Sequence, residues 1–531
     1  MSFKFLCVSV LGLILSLPML AQVEDESLGD LSAWGQRYLS SQEEEFAPDL
    51  WQGSDTKQLL EQLQDLRVSQ LSPAGRELLR RVILSPAEAP DGEDSDELLA
   101  ERAKWMMQLG EARAAAALAP RLESEIQNLD TETLAIDLDL AAGREASACA
   151  ALAGPPRTEP YWLKLRAVCA VLSENYTEAE LAIEVASAQD VNDPWLVEVI
   201  FAASGDLPNR PNARYDTGLN IALSTKTDLD TSRITLAGSR PDLAAAAAQR
   251  PGVPIDLKAR FVQMAATRDL ISSTKRRALL REHLSQPDYL PANNLEQTLA
   301  VVTASDSTLQ DKARRLAQAF RAQSRADFST YRHMAELFLP DLKRLRTNAE
   351  SAEFALDFAR ASLAAGDNSQ ARRWLASLNI TGAPEVDAFA WAKLEALAEM
   401  TRSDPSPALQ SGVLERLIVS AESQSQKEQV ADTLSLWMAL NLNLSPAARE
   451  ALNALSDEDR RLSPGALMHL QAAAQQGLIA ETALSVLVAL QTGKGTLSKS
   501  DMTALVRALR QIGVPDLATA FALESTAFWR D

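Results

Sequence analysis

Histidine and cysteine are scarce in this chain, with three of each among 531 residues. His283, His333 and His469 stand far apart, and HMAEL at 333–337 is not the HExxH pattern that sets two imidazoles on one helix face. A zinc site therefore has little to be built from, and the three histidines read as structural. No two cysteines form a CxxC pair, and neither a G-x-S-x-G elbow nor a G-x-G-x-x-G turn occurs. TGKGT at 492–496 lacks the P-loop spacing and follows no strand, so it reads as a loop between helices. SSTK at 272–275 matches S-x-x-K, but SEN at 173–175 precedes it and no KTG follows, so the match reads as coincidence. No cofactor, no metal and no catalytic residue is expected.

Positive charge is also short, with 52 Lys and Arg against 72 Asp and Glu, a net charge of −20 and a pI near 4.8. A general nucleic-acid binder needs a basic face to neutralise phosphates, so that class is disfavoured. After the first twenty or so residues no apolar run is long enough to cross a bilayer, which takes about 20 residues. Carboxylates are plentiful, so counting alone does not remove a glycosidase pair.

Residues 1–21 have the form of a secretory signal. Lys4 precedes the apolar run FLCVSVLGLILSL, Pro18 breaks it, and Ala21 before Gln22 offers a cleavage point, although Met19 is bulky for the minus-three position. The competing reading is an uncleaved anchor, for which the run is short. Cleavage would place the mature chain in a periplasm or outside the cell and remove Cys7. Cys149 and Cys169 remain, an even pair that in an exported chain reads as a disulfide. Two buried free thiols are the alternative.

The rest of the chain is organised by helical hairpins. Trp162, Leu165, Cys169 and Leu172 make one apolar stripe, and Tyr176, Ala179, Ile183 and Ala186 make a second after the break at Glu174-Asn175. The same scheme recurs around Gly110, Gly366, Gly477 and Gly513, each a residue suited to a left-handed helix end between an apolar helix and an alanine-rich one. Such hairpins bury their faces only by stacking on neighbours. The predicted fold is all-α, an irregular, tetratricopeptide-like α-solenoid without a fixed 34-residue period, divisible into two halves. The expected divisions are an acidic, partly disordered segment at 22–53, a helical half at 54–204, an irregular connector at 205–254 and a second helical half at 255–531. Ser72-Pro73 should open a helix in the first half. TSRITLAG could be one short strand, which alone is not a sheet.

The succession DLWQGSDTKQLLEQL, SPAGRELLRRVIL, RAKWMMQLGEARAAAALA, YWLKLRAVCAVLSENYTEAELA and ALVRALRQIGVPDLATAFALE resembles a group of exported alphaproteobacterial helical proteins labelled antifreeze-glycopeptide-like. The label reflects alanine content rather than activity. Its most distinctive part is Tyr161, Trp162 and Cys169 with the earlier Cys149. The resemblance implies export and a helical fold, and it supplies no substrate or catalytic residue.

Between Lys258 and Arg346 basic residues outnumber acidic ones, in the clusters STKRRALLREH, DKARRLAQAFR and LKRLR. Lys275, Arg276, Arg277, Arg314, Arg315 and Arg344 are the candidate patch for an anionic partner, with a solvated outer face as the alternative. These features favour a non-enzymatic scaffold or adaptor that binds an envelope protein, an anionic lipid or a cell-wall polymer. The second expectation is a cell-wall glycan enzyme or its accessory, although no stretch resembles the catalytic domain of exported lytic transglycosylases.

Overall fold

The computed structural model describes residues 33–530 except 92–94, 123–130, 206–209, 237–239, 288, 380–384, 403–405, 455–461 and 493–496. The signal-like segment and most of TGKGT lie outside the described residues. Within them the chain is all-α apart from two short strands. Among the described residues no helix is long and apolar enough to cross a membrane.

Helices Ser95–Gln108 and Ala112–Leu118 turn at Gly110, Pro160–Leu172 and Tyr176–Ala188 at Glu174, and Ala355–Ala364 and Asn368–Ser377 at Gly366. The three turn residues take φ of 85°, 62° and 75°. The hydrogen bonds repeat as well. Gly110 N–H reaches Met107 O and Glu111 N–H reaches Met106 O, just as Glu174 reaches Val171 and Asn175 reaches Ala170. This double bond from a left-handed residue and its successor satisfies the last carbonyls of the first helix and reverses the chain. At the other end of such helices the caps are side chains. Ser72 Oγ accepts from Gly75 N–H at 3.2 Å, with Pro73 in the first turn.

Two hydrophobic cores result. One joins helices of the stretch 34–118 with those of 259–529; the other gathers residues 112–262. Residues 33–53, within the segment 22–53 expected to be acidic and partly disordered, put Trp34, Leu39, Phe46, Leu50 and Trp51 into the first core. Five apolar side chains scattered among carboxylates give no periodicity, yet each is buried.

The first core closes the chain on itself. Helices Thr56–Asp65 and Pro73–Leu84 pack against Ile479–Thr492, and Pro73–Leu84 also packs against Pro515–Ser525. Polar contacts follow the seam. Ala480 N–H donates to Leu50 O at 3.1 Å, Gln62 Nε2 to Ser485 Oγ at 2.8 Å, and Arg67 N–H to Gln491 Oε1 at 2.8 Å.

The connector at 205–254 departs from expectation. The stretch TSRITLAG, allowed by the sequence as a strand without a partner, has one: Asp230–Leu236 pairs in parallel with Asn212–Tyr215. Ala213 and Tyr215 point into the second core, and Ser224 Oγ both accepts from Arg214 N–H and donates to Arg214 O. The helix Gly218–Lys226 makes the crossover between the strands.

Cys149 and Cys169 form a disulfide with Cα atoms 5.8 Å apart, tying helix Glu145–Ala150 to Pro160–Leu172 at the edge of the second core. With a separation of 20 residues, loop closure contributes on the order of 3 kcal/mol. Thiol titration of the unreduced protein should find neither of these sulfurs free, and reductant should lower the melting temperature. A melting curve unchanged by complete reduction would contradict this.

Candidate functional site

The hairpin turns converge. Residues 108, 109 and 111, 268–270, 363–366, 400–402 and 440–442, each at or just past the carboxyl end of a helix, line one cavity of ≈ 1040 Å³. The polar face of helix Pro73–Leu84 forms one wall, with Arg76, Glu77, Arg80 and Arg81. Helix ends of this polarity carry partial negative charge, which cations answer. Arg76 Nη1 donates to Leu71 O at 3.0 Å, and Arg510 donates to Leu440 O.

Seven arginines line the cavity, Arg268, Arg332 and Arg402 being the others, against the six carboxylates of Glu77, Glu111, Asp269, Glu336, Asp516 and Glu524. Most are matched in pairs. Arg80 Nε lies 2.8 Å from Glu111, Arg81 Nη2 lies 2.5 Å from Asp516, and Arg332 Nε lies 2.7 Å from Glu336. Arg402 meets Glu399 at 2.8 Å. The Arg268 side chain has no ion pair or hydrogen bond among the described residues.

Two carboxyls of the lining are pushed in opposite directions. Burial raises Asp269, but His333 Nε2 at 2.6 Å from Oδ1 and the charges of Arg76 and Arg332 outweigh it and hold the group well below the usual range. Arg76 occupies the other oxygen, with Nη2 2.9 Å from Oδ2. Burial dominates at Glu524 and pushes its carboxyl up, although Ala74 N–H donates to Oε1 at 2.9 Å and Arg332 and Arg76 act against the shift.

The acid response follows from these groups. Arg80 also holds Glu43, whose carboxyl burial would raise but whose hydrogen bonds from Arg80 and Ser40 bring it to about 2. Glu43 and Asp269 are both depressed in the folded state, so their stabilisation is complete above their unfolded values and is lost as pH falls through the folded ones. Stability should drop as pH falls from 4.5 to about 2. Arg80→Ala and Asp269→Asn should each flatten that drop in urea unfolding at stepped pH. Identical pH slopes in wild type and both variants would contradict it.

The predicted basic residues do not form one surface. Arg276 is buried, donating to His333 O at 3.2 Å and Gln263 Oε1 at 3.0 Å. Arg277 donates to Leu337 O at 2.9 Å and to Asp341 Oδ1 at 2.8 Å. Both thus clamp helix Ser273–Leu284 onto Phe328–Arg344. Arg315 turns back to Asn294 Oδ1 at 2.8 Å, whereas Arg314, 3.5 Å from Asp311, and Arg344 stay exposed. Lys275 is exposed and donates to Gln249 Oε1 at 2.7 Å. Ser272 of the S-x-x-K match is a helix cap, accepting from Lys275 N–H at 3.3 Å.

The cavity arginines of 76–81 were not among the sequence candidates. Their signal was present: Arg76 and Arg80 are one helical turn apart, with Arg81 beside them, opposite Leu78, Leu79 and Val82. The histidines bridge elements: His333 binds Asp269, His469 lies 2.7 Å from Gln58 Nε2 and 3.1 Å from Glu481, and His283 packs on Tyr289 at 4.0 Å. Among the described residues no cluster of His, Cys, Asp and Glu is placed to hold a metal ion.

No protein-family model matches the chain, and neither a curated protein nor a solved structure is similar to it.

Proposed function

We propose that the chain is an exported, non-enzymatic scaffold, an irregular solenoid of hairpins bent until its ends meet, which takes an acidic segment of another envelope protein into its central cavity. The observation that carries this reading is the lining itself. In a chain of net charge −20, seven arginines against six carboxylates gather around one cavity. A guanidinium group left without a carboxylate inside an acidic molecule can attract an anionic partner locally. Among the described residues Arg268 has no competing side-chain partner and the Arg510 guanidinium meets just a carbonyl, so both groups can meet a carboxylate. The disulfide supports an oxidising compartment, and the signal-like start supports the route to it.

Fluorescence anisotropy with a labelled oligoglutamate peptide tests the reading. Binding at low salt should weaken as salt rises, should be lost in Arg268→Glu/Arg510→Glu, and should survive Lys275→Glu on the outer surface. Absence of binding at low salt, or binding that survives the double reversal, would contradict it. Anionic vesicles and soluble cell-wall polymer serve as competitors; displacement by either one better than by peptide would name a different occupant.

One observation favours an enzyme of cell-wall glycan as the second reading. Asp269 and Glu524, in the same cavity, have ionisation pushed apart, as in acid and base pairs. Against it, both Asp269 oxygens are engaged, and among the described residues Phe328 is the single aromatic of the lining, which offers a sugar little to stack on. Soluble glycan released by the wild type and not by Glu524→Gln would establish the enzyme; no release is expected.

A further inference from the structure

A smaller cavity of ≈ 220 Å³ lies between helices Ala388–Met400, Gln424–Ala439 and Lys499–Gln511 and the end of Pro515–Ser525. Lys393 reaches into it. Among the described residues its Nζ has one partner, Oε1 of Gln429 at 2.8 Å, which is a neutral acceptor. The carboxylate of the same cavity, Asp432, lies 3.4 Å from Nζ of Lys499 instead. Thr433, Ser435, Ser525 and Thr526 also line the cavity, but their hydroxyl protons go to the carbonyls of Gln429, Asp432, Ala522 and Leu523. They therefore keep lone pairs to accept with and no proton to compete for the amine, although Ser435 Oγ already accepts from Thr503 Oγ1 at 3.1 Å.

The groups that act on Lys393 are Lys499, Asp432 and Arg360. Burial comes first and Lys499 second, and together with Arg360 they outweigh Asp432 and pull the ammonium down to about 8. A lysine desolvated beside a second cation is the arrangement that makes an amine nucleophilic near neutral pH.

We propose that Lys393 is a reactive amine that binds a small aldehyde or ketone, admitted to this cavity, as a reversible imine. The lone pair of neutral Nζ adds to the carbonyl carbon, and the carbonyl π pair takes a proton. The resulting carbinolamine then loses its oxygen and two protons in total as one water. A C=N bond replaces C=O, and no oxidant or reductant is consumed. The acceptor hydroxyls can hold the O–H and N–H of the carbinolamine. This site is separate from the arginine-lined cavity and stands whether or not the scaffold reading does.

The test is reductive trapping on the intact protein with pyruvate and cyanoborohydride at pH 7, followed by peptide mass mapping. Lys393 should be labelled at least about tenfold faster than exposed lysines such as Lys57 or Lys275. Lys499→Met removes the second cation and should slow Lys393 labelling several-fold, while Lys393→Arg, with its fold verified by circular dichroism, should lose that label alone. Labelling of Lys393 no faster than Lys57, or a rate indifferent to Lys499→Met in a folded variant, would overturn the proposal.

Discussion

Arg102→Met should destabilise the protein by about 3 kcal/mol, although it replaces a charge with an apolar side chain of similar length in a buried place. Arg102 is 0% exposed. Among the described residues no carboxylate balances it. Its guanidinium instead donates to Ile83 O at 2.6 Å and Ser85 O at 2.7 Å, the carbonyls at the end of helix Pro73–Leu84, and stands 5.6 Å from the Trp34 ring. Burial pulls its ionisation down to about 10, so it stays a cation at neutral pH. Methionine would fill the space and leave two buried carbonyls without donors, and it is the unmet group that costs most. The same carbonyl region anchors the amino-terminal stretch: Tyr38 N–H donates to Leu84 O and Ala87 N–H to Trp34 O. Proteolysis of Arg102→Met should therefore begin in residues 33–53. Thermal melting superimposable on wild type would contradict this.

Gly218→Ala should be the most damaging single methyl in the second core, costing about 3 kcal/mol or more. A Cβ at Gly218 would lie 2.0 Å from Asp137 O and 2.5 Å from its carbonyl carbon, which are backbone atoms that cannot rotate away. The closeness has a purpose. The Asp137 carboxyl meets the N–H groups of Gly218 and Leu219 at the start of helix Gly218–Lys226, and Tyr161 Oη donates to Asp137 Oδ1 at 3.1 Å. Away from such a contact, alanine for glycine in a helix gains up to about 1 kcal/mol. Gly412 is the control: within helix Pro407–Val419 an added Cβ meets only the Arg416 guanidinium, at 3.8 Å, so Gly412→Ala should be neutral or stabilising. Equal effects of the two substitutions on urea unfolding would show that the approach at Gly218 relaxes freely.

The hairpins were legible because two local signals coincide in each: an apolar stripe at helical spacing and a residue tolerant of positive φ at its end. Gly110, Gly366 and Glu174 all take that conformation. Cys149 and Cys169 were legible as a pair for a simpler reason, since no other partner remained after Cys7. The strand Asn212–Tyr215 was not, because two inward side chains, Ala213 and Tyr215, give too short an alternation to read. The cavity was hidden by a deeper ambiguity. The polar face of helix Pro73–Leu84 carries the same arginines whether it meets water or the ends of helices hundreds of residues later, and no local pattern separates the two. Arg276 and Arg277 show the converse: a cluster that reads as exposed charge is spent on holding two helices together through His333 O, Leu337 O and Asp341.

Everything attributed to the cavity depends on the amino-terminal helices lying against the carboxyl-terminal ones. Spin labels at Lys57→Cys and Gln471→Cys, two exposed positions beside the Gln58–His469 contact of 2.7 Å, measure that directly in a chain carrying Cys7→Ser. The closed arrangement predicts a single, narrow, short-distance population by pulsed electron resonance, unchanged by salt. A long or broad distribution, as from an open superhelix whose ends stand apart, would contradict it and remove the cavity with it.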